Sequence, residues 1–373
     1  MADFFSNKDY NDYFEKLNSQ LEQKNTSVPK KSTEVFDVTQ KTQSKGFYKT
    51  FRLNYKAIIA VALMLVITLV IIFGIRGCSN NKPDLSGVVS AQKTDTETPK
   101  VEKLKINYET DENTVEIPKS NDAKAGIIIR KSDNKIIAQR NAHQKIYPAS
   151  TLKVMTLLVA VENIKDMNDT FTMSLSITDP LYVEKASVAG FLNGEVITMT
   201  DLLHGLILPS GADAAMGLAI KVAGSEEAFV ELMNNKVREM GLTGTHFTNC
   251  SGLYHKDNYS TAYDMAVILD YAMRNETCRK ILTTYQHTTK KTPQNPKGIL
   301  LRSTLFSHMY GTEPETAVIL GGKTGFVNEA GYCIASFGEN IAKTEEYLVV
   351  TMGNSSKWPA FYGQIDLYKE FAK

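Results

Sequence analysis

Hydrophobic residues are unevenly distributed along the chain, and one continuous apolar run occupies residues 57–75. This run contains 19 residues without a charged side chain. As an α-helix it would cross the ~30 Å hydrocarbon core of a bilayer. The alternative is a cleaved signal peptide, but the run is too long, starts 56 residues into the chain and is followed by no small-residue cleavage site. The pattern therefore predicts a retained transmembrane helix.

Basic residues flank this run asymmetrically. Residues 41–56 carry five Lys or Arg and no acid, whereas residues 76–91 carry two, together with one Asp. Lys and Arg accumulate on the cytoplasmic side of a membrane span. We therefore expect a single-pass protein of the cell membrane, with its N-terminus in the cytoplasm and everything after the span extracytoplasmic.

The regions on either side of the span are polar. Residues 1–56 are predicted to be a mostly disordered cytoplasmic tail, although apolar residues at helical spacing leave a short amphipathic helix open. Residues 76–120 are predicted to be an extracytoplasmic linker, because 15 of these 45 residues are charged and such a composition cannot bury a core. One folded domain is then expected over residues 121–373.

Apolar patterns within 121–373 predict strands at both ends and helices between them. We therefore expect an α/β domain of the α+β kind, with an antiparallel β-sheet flanked by helices and a helical subdomain. The predicted strands cover 126–130, 135–140, 317–326, 331–339 and 346–354; the predicted helices cover 150–163, 201–208, 213–222, 226–240, 265–273 and a final amphipathic stretch around 361–368.

Composition excludes several classes of protein. The chain has 42 basic and 41 acidic residues, and a formal net charge of +1 lacks the basic footprint of a nucleic-acid binder. The six histidines show none of the spacings of zinc ligands, so we predict no metal and no other cofactor. Four cysteines are too few for a disulfide scaffold, but one bridge among Cys250, Cys278 and Cys333 stays open in an oxidising compartment.

Candidate nucleophilic chemistry begins at Ser150. A serine three residues before a lysine occurs five times, but only Ser150 and Lys153 follow a proline and open an apolar helix. This spacing places Lys153 on the same helix face, one turn later. A partly desolvated lysine with a lowered pKa can accept the proton of a serine hydroxyl and make it a nucleophile. The alternative is an N-cap serine beside a solvated lysine.

Two further segments carry polar side chains between or after apolar elements. Lys323-Thr324-Gly325 ends an apolar strand, and a cation and a hydroxyl beside an open strand edge suit an extended peptide that ends in a carboxylate. The alternative is an ordinary strand-end lysine. Residues 209–213 by themselves predict a helix start, with Ser210 as N-cap and Asp213 completing a capping box.

Together and in this order, these segments resemble the penicillin-binding, active-site serine D-Ala-D-Ala carboxypeptidases, which have the DD-peptidase and class A β-lactamase fold. The resemblance implies that fold for most of residues 121–354 and a catalytic domain at 121–373. The segments that carry it are YPASTLKVMT at 147–156, LLHGLILPSGADAA at 202–215, HFTNCSGL at 246–253, STAYDMA at 260–266 and GGKTGFVNEAGYC at 321–333.

The resemblance implies three catalytic residues. Ser150 would form the acyl-enzyme, Lys153 would accept its proton, and Ser210 would relay protons toward the leaving D-alanine. The substrate would be a peptidoglycan stem peptide ending in D-Ala-D-Ala, and β-lactams would be covalent inhibitors.

It also implies a set of substrate-binding residues in and after the third motif. Lys323 would hold the substrate carboxylate and Thr324 would hydrogen-bond to it. Gly325 belongs to the same motif. The backbone N–H groups of Ser150 and Phe326 would form the oxyanion hole.

One position departs from the family pattern. The second motif is usually Ser-x-Asn, and Ala212 stands at its third place, which removes an amide expected near Lys153 and predicts a slower enzyme. A literal Ser132-Asp133-Asn134 precedes the nucleophile in a hairpin turn, so we do not interpret it as this motif. Two alternatives stay open: a peptidoglycan endopeptidase of the same fold, and a catalytically weak or inactive wall-binding homologue.

Overall fold

The structure, a computed structural model, describes residues 106–309, 311–312 and 314–373. All of them lie in the second of the two units into which the chain divides, 96–373. The predicted tail, the predicted span at 57–75 and the linker up to residue 105 lie outside the described residues. Within the described residues, no helix combines the length and the apolar character needed to cross a membrane.

The described part of the chain contains ten strands. They are β1 (Val115–Glu116), β2 (Ala125–Arg130), β3 (Lys135–Arg140), β4 (Thr170–Thr172), β5 (Val196–Thr198), β6 (Gln286–Thr288), β7 (Leu300–Arg302), β8 (Ala317–Val327), β9 (Gly331–Asn340) and β10 (Glu346–Asn354). Six of them form one sheet in the order β1-β3-β2-β10-β9-β8, while β4–β5 and β6–β7 form separate pairs. All neighbours in the six-stranded sheet are antiparallel except β1 and β3.

Nine α-helices occur in the same described residues, and a 3-10 turn at Ala149–Leu152 leads into the first. They are α1 (Lys153–Asn163), α2 (Leu175–Val183), α3 (Met199–Ile207), α4 (Ala212–Ala223), α5 (Glu226–Glu239), α6 (Ala262–Arg274), α7 (Glu276–Leu282), α8 (Phe306–Met309) and α9 (Lys357–Phe371). Every strand and helix predicted within 121–373 is present, with ends shifted by a few residues. The expected antiparallel sheet flanked by helices is therefore confirmed.

Helices cover the sheet on both faces, which explains the continuous apolar sequence of β2. Ile127 and Ile129 contribute to the larger core, which also contains the buried faces of α1 and α6. Ile128 points the other way, into a second core with Ile365 and Tyr368 of α9. Because successive residues of a strand face opposite sides, a strand covered on both sides needs apolar residues at every position.

Helix α1 lies at the centre of the helical layer. Its residues from Lys153 to Val161 are all buried. It packs against α3, α4, α5, α6 and α7. The apolar run after Lys153 thus reflects a helix enclosed on every side, and Lys153 enters this interior with it.

The elements absent from the prediction have weak sequence signals. Helix α2 buries only Ile177 and Leu181 and contains Pro180, whereas its Tyr182 is 86% exposed. Its apolar residues therefore do not mark a single buried face. The paired strands β4–β5 and β6–β7 are three residues each, too short for an alternating pattern to be recognised.

The capping box predicted at Ser210 and Asp213 is wrong. The N-cap of α4 is Gly211, without a side-chain cap, and Ser210 has a left-handed backbone with φ of 66°. The Asp213 carboxylate instead accepts hydrogen bonds from the consecutive backbone N–H groups of Ala189, Gly190 and Phe191, at 2.8, 3.0 and 3.2 Å. This carboxylate binds a distant loop instead of closing the helix end.

The disulfide left open among three cysteines does not form. Cys250, Cys278 and Cys333 are free and buried. Burial raises the pKa of the Cys278 and Cys333 thiols to about 12. They act as small apolar side chains, as expected for Cys333.

Residues 106–120 belong to the folded domain, which begins before residue 121, where the sequence predicts its start. Tyr108 is 4% exposed, and its hydroxyl donates a hydrogen bond to Asp270 Oδ2 at 2.7 Å. Lys131 and Arg274 form ion pairs with the same buried carboxylate. The segment also supplies β1, which covers the edge of β3.

We predict that a protein beginning at residue 106 folds without the preceding segments, whereas one beginning at Lys119 melts at a lower temperature. Loss of a buried aromatic residue costs about 3–5 kcal/mol, or roughly 6–20 °C for a domain of this size. Thermal unfolding followed by circular dichroism measures the difference. Tyr108→Phe is the control, because it keeps the packing and loses about 1 kcal/mol. Equal melting temperatures for all three proteins would show that residues 106–118 add nothing to the fold.

Candidate active site

Ser150 lies in the 3-10 turn that leads into α1. The preceding Ala149 has a left-handed backbone with φ of 48°, which is unfavourable for a residue with a Cβ. The α-helix proper begins at Lys153, one turn later. The Lys153 Nζ lies 3.0 Å from Ser150 Oγ, so the spacing predicted from sequence brings amine and hydroxyl into hydrogen-bond contact.

The Lys153 amine is enclosed by protein. The residue is 1% exposed, and its Nζ also donates a hydrogen bond to the backbone carbonyl of Ser251. Burial lowers the pKa of Lys153 from 10.5 to about 8, against a weaker opposing attraction from Asp213. A lysine in this environment is neutral often enough near neutral pH to accept a proton.

Two glycines allow other backbone segments to reach the Ser150 turn. A Cβ on Gly325 would lie 2.8 Å from Ser150 N and 2.9 Å from Thr151 N. A Cβ on Gly252, whose φ is 81°, would lie 2.4 Å from Ala149 O. Strand β8 and the loop after α5 therefore contact the turn from two sides, and neither contact leaves room for a side chain.

The second motif lies between α3 and α4, two of the helices that pack on α1. Ser210 is 6% exposed, and Ala212 is 2% exposed. The N–H of Ala212 donates to Ser187 O at 2.7 Å, in the loop whose next residues bind Asp213. The second motif is thus fixed to residues 187–191, and its Ala212 is enclosed within the fold.

The third motif lies on β8, at the edge of the sheet. Lys323 is 1% exposed, and its Nζ donates to the Thr324 carbonyl at 2.7 Å. Burial and the charge of Lys153 lower the pKa of the Lys323 ammonium well below its ordinary value. The first and third motifs meet where Gly325 approaches the backbone of the Ser150 turn.

Thr304 connects the second and third motifs. Its N–H donates to Leu208 O at 2.9 Å, two residues before Ser210. Its hydroxyl is 2.7 Å from the Thr324 hydroxyl. The three predicted motifs are therefore connected: the first contacts the third directly through Gly325, and Thr304 bridges the segment before Ser210 and the third motif.

Aromatic side chains stand near the ends of these motifs. Phe326 is 47% exposed, and its ring centroid lies 4.4 Å from that of Tyr332. Tyr147, just before the Ser150 turn, meets Tyr254 edge to face, with ring centroids 5.0 Å apart. Such exposed rings offer apolar surface to a bound peptide.

Three contributions to the site were not anticipated from the sequence. The Ser251 carbonyl accepts a hydrogen bond from Lys153, and Thr304 links the second and third motifs. The Thr156 hydroxyl donates a hydrogen bond to the backbone carbonyl of Cys250, the residue before Ser251. The segment HFTNCSGL contains Ser251 and was part of the family resemblance, but a backbone carbonyl carries no residue signature. Thr156 does have a sequence signal, because it follows Lys153 by three residues and so lies on the same face of α1.

We predict that Gly325→Ala slows the reaction of Ser150 with a fluorescent penicillin, the reagent that the sequence resemblance suggests, by at least about tenfold. The added methyl group would meet backbone nitrogen atoms, so β8 or the Ser150 turn must move. The labelling rate of folded protein is the measurement. Gly241→Ala is the control, because its φ of 76° imposes strain where a Cβ meets open space. Labelling of Gly325→Ala at the rate of the unsubstituted protein would contradict this geometry.

Comparison with known proteins extends this picture over most of the chain. Residues 111–356 match the peptidase family S11, described as D-alanyl-D-alanine carboxypeptidase. The D-alanyl-D-alanine carboxypeptidase DacF of Bacillus subtilis is 31% identical over 221 residues, 58% of this chain and 54% of that protein. DacC of Escherichia coli is 37% identical over 169 residues, 42% of this chain and 40% of that protein. The chain thus spans about half the length of these curated relatives.

The fold agrees with a solved member of the same group of enzymes. The crystal structure of the Streptomyces K15 DD-transpeptidase aligns with a TM-score of 0.60 at 26% identity. The alignment covers 67% of this chain and 97% of that one. With the match over residues 111–356, this identifies the chain as a member of the S11 D-alanyl-D-alanine carboxypeptidase family of peptidases.

Proposed function

We propose that this protein is a serine-type D-Ala-D-Ala carboxypeptidase that removes the terminal D-alanine from peptidoglycan stem peptides through an acyl-enzyme. The contact between the Lys153 amine and the Ser150 hydroxyl, 3.0 Å apart, carries this proposal. A buried amine with a pKa of about 8 is suited to accept the proton of a serine hydroxyl. Family membership and the neighbouring Lys323 support the same function.

The acylation step uses residues of all three motifs. Ser150 Oγ attacks the carbonyl carbon of the penultimate D-alanine while its proton passes to Lys153. The backbone N–H groups of Ser150 and Phe326 stabilise the negative oxygen that forms. Ser210 relays the proton to the leaving nitrogen, the C–N bond breaks, and D-alanine departs. Water then hydrolyses the ester and restores Ser150.

Lys323 is suited to bind the terminal carboxylate of the substrate. It is a buried amine, and no carboxylate of the described residues is among the causes of its lowered pKa. A substrate carboxylate would supply the missing counter-charge, with Thr324 as hydrogen-bond donor. Carboxylate binding raises the charged fraction of Lys323.

Two related activities would use the same acyl-enzyme. They differ from carboxypeptidase activity only in the leaving group or in the molecule that accepts the acyl group. Cleavage of a cross-linked dimer would make the protein an endopeptidase, and transfer to an amine is the activity named for the K15 neighbour. Digestion of a pentapeptide, a cross-linked dimer and a pentapeptide with an added amine distinguishes these reactions. Release of D-alanine from the pentapeptide is the result expected. A folded protein that binds peptide without release would instead be a wall-binding homologue.

We also propose that a transmembrane helix at 57–75 anchors the enzyme, with the catalytic domain outside the cytoplasm. The charge asymmetry around the apolar run supports this orientation. Peptidoglycan, the proposed substrate, lies on that side of the membrane. Protease added to intact cells with an accessible outer face should digest the domain, and digestion only after lysis would reverse the orientation.

We predict that penicillin acylates Ser150. Mass spectrometry of the proteolysed adduct should place the added mass on the peptide containing Ser150, and Ser150→Ala should abolish labelling without changing the melting temperature by more than a few degrees. An adduct on Ser210 would contradict the assignment. No adduct on folded protein would contradict the proposed enzyme.

We predict that the acylation rate rises with pH through about 8, because Lys153 must lose its proton to act as base. Below that value the rate should increase roughly tenfold per pH unit. Lys153→Arg should remove this dependence and lower the rate by at least about 100-fold, because an arginine stays protonated. Second-order labelling rates between pH 5.5 and 9.5 provide the measurement. Acylation of Lys153→Arg near the parent rate would rule out lysine as the base.

A further inference from the structure

The missing amide at position 212 raises the question of what orients Lys153. The family pattern expects an asparagine there, and this chain has a buried alanine. In the structure, the Lys153 amine donates to the backbone carbonyl of Ser251. A backbone carbonyl accepts a hydrogen bond as an asparagine side chain does, so it can take the place of the absent amide.

Orientation matters because a neutral amine has one lone pair and two N–H groups. The lone pair must point at the hydroxyl of Ser150 to accept its proton. An N–H donated to the Ser251 carbonyl fixes the rotation of the amine about its last bond. The same carbonyl stabilises the ammonium that proton transfer creates. The position of this one oxygen atom therefore affects the base before and after the transfer.

Both backbone polar groups of Cys250, the residue before Ser251, form hydrogen bonds with side chains. Thr156 Oγ1 donates to Cys250 O at 2.8 Å. The N–H of Cys250 donates to Glu226 Oε1 at 3.0 Å, and the Cys250 thiol lies 3.2 Å from the same oxygen. Burial and Glu226 raise the pKa of that thiol well above its ordinary value. The thiol is therefore neutral and supplies no counter-charge to Lys153.

The following residues are fixed as well. Asn249 Oδ1 accepts from Gly252 N at 2.8 Å, and Asn249 Nδ2 donates to Leu253 O at 2.9 Å. Gly252 in turn lies directly against Ala149 and Ser150. The Ser251 carbonyl thus belongs to a turn that is tied to the nucleophile on one side and to Cys250 on the other.

We propose that Thr156 and Glu226 are positioning residues for the catalytic base: by holding Cys250, they place the Ser251 carbonyl as the acceptor that replaces the second-motif amide. This inference rests on the proposed roles of Ser150 and Lys153 and adds two residues to them. Thr156 is 0% exposed and lies one turn beyond Lys153 on α1. Ser150, Lys153 and Thr156 therefore face the same loop at three-residue intervals.

The first test compares Thr156→Val with Thr156→Ser. Valine keeps the shape and removes the donor, while serine keeps the donor. We expect Thr156→Val to lower the penicillin acylation rate about 10- to 100-fold and Thr156→Ser to stay within about threefold of the parent. Thr351→Val is the matched control, because Thr351 is also 0% exposed and its hydroxyl also donates one hydrogen bond, to Gln364 on the far face of the sheet.

The pH profile separates positioning from loss of structure. A carbonyl that accepts from the ammonium favours the charged form, so misplacing it lowers the pKa of Lys153. The midpoint of the rate profile should move to lower pH by about 0.5–1 unit in Thr156→Val while the plateau falls. A variant that is only less stable changes the plateau and leaves the midpoint in place. Thr351→Val should show the parent midpoint.

Glu226 provides an independent arm. Glu226→Gln keeps an oxygen acceptor for the Cys250 N–H and should retain the parent rate within about threefold, whereas Glu226→Ala should show the slower rate and lower midpoint. The two Glu226 variants test the proposal even if Thr156→Val does not fold. The proposal is overturned if the valine and alanine variants acylate like Thr351→Val with an unchanged midpoint.

Ala212→Asn tests the replacement itself. The family pattern predicts that the missing amide slows the enzyme, but in the structure Lys153 already has an acceptor. In the unsubstituted protein an asparagine should therefore change the rate less than about threefold. In Thr156→Val it should recover at least about fivefold, a non-additive effect expected of two groups that serve one partner. Equal effects of Ala212→Asn in both backgrounds would show that the Ser251 carbonyl does not replace the second-motif amide. Failure of the unsubstituted protein to acylate would instead reject the proposed function, so the two failures are distinguishable.

Discussion

The burial of the Lys153 amine beside a serine hydroxyl is the constraint on which the site depends. An ammonium in a protein interior is strongly disfavoured unless it is paired, and here burial lowers its pKa to about 8. At pH 7 roughly a tenth of the molecules then carry the neutral amine. Water around Lys153 would restore its ordinary pKa. The enclosure of α1 by five other helices is therefore also a condition for this lowered pKa.

The same constraint accounts for the close packing of backbone around Ser150. Side chains between β8, the 249–253 loop and the Ser150 turn would hold these segments apart and admit water. Gly325 and Gly252 remove that possibility, since a Cβ on either would overlap backbone atoms of the turn. The carbonyl that contacts Lys153 and the strand that carries Lys323 both reach the site through these contacts. The glycines thus set how closely strand β8 and the 249–253 loop approach Ser150.

The sequence predicted the strands, most helices and the three motifs, because each has a local pattern. The periodicity of β2 and α1 reflects burial, and the Ser150–Lys153 spacing follows from helix geometry. The role of Asp213 was not predictable in this way. A capping box and a carboxylate that binds a loop more than twenty residues away have the same local sequence, and only the tertiary fold decides between them. The Ser251 carbonyl was missed for a related reason, because every residue has one.

Backbone strain distinguishes the site from the rest of the domain. Six non-glycine residues among those described have a left-handed backbone, and four of them, Asn134, Asn141, Lys185 and Lys343, are exposed. The other two are the buried Ala149 and Ser210, which lie in the first and second motifs. Such conformations cost of order 1–3 kcal/mol each and persist only where surrounding contacts enforce them.

The contacts that enforce this strain can be identified at both positions. At Ala149 they come from Gly252, which lies against its carbonyl. At Ser210 the neighbouring backbone is held on both sides, because Thr304 N donates to Leu208 O while Gly211 N donates to Gly205 O and Ala212 N to Ser187 O. The direction of the Ser210 side chain is therefore determined by hydrogen bonds of neighbouring backbone groups. This explains how the second motif can keep its serine in place although the third residue of the motif has changed to alanine.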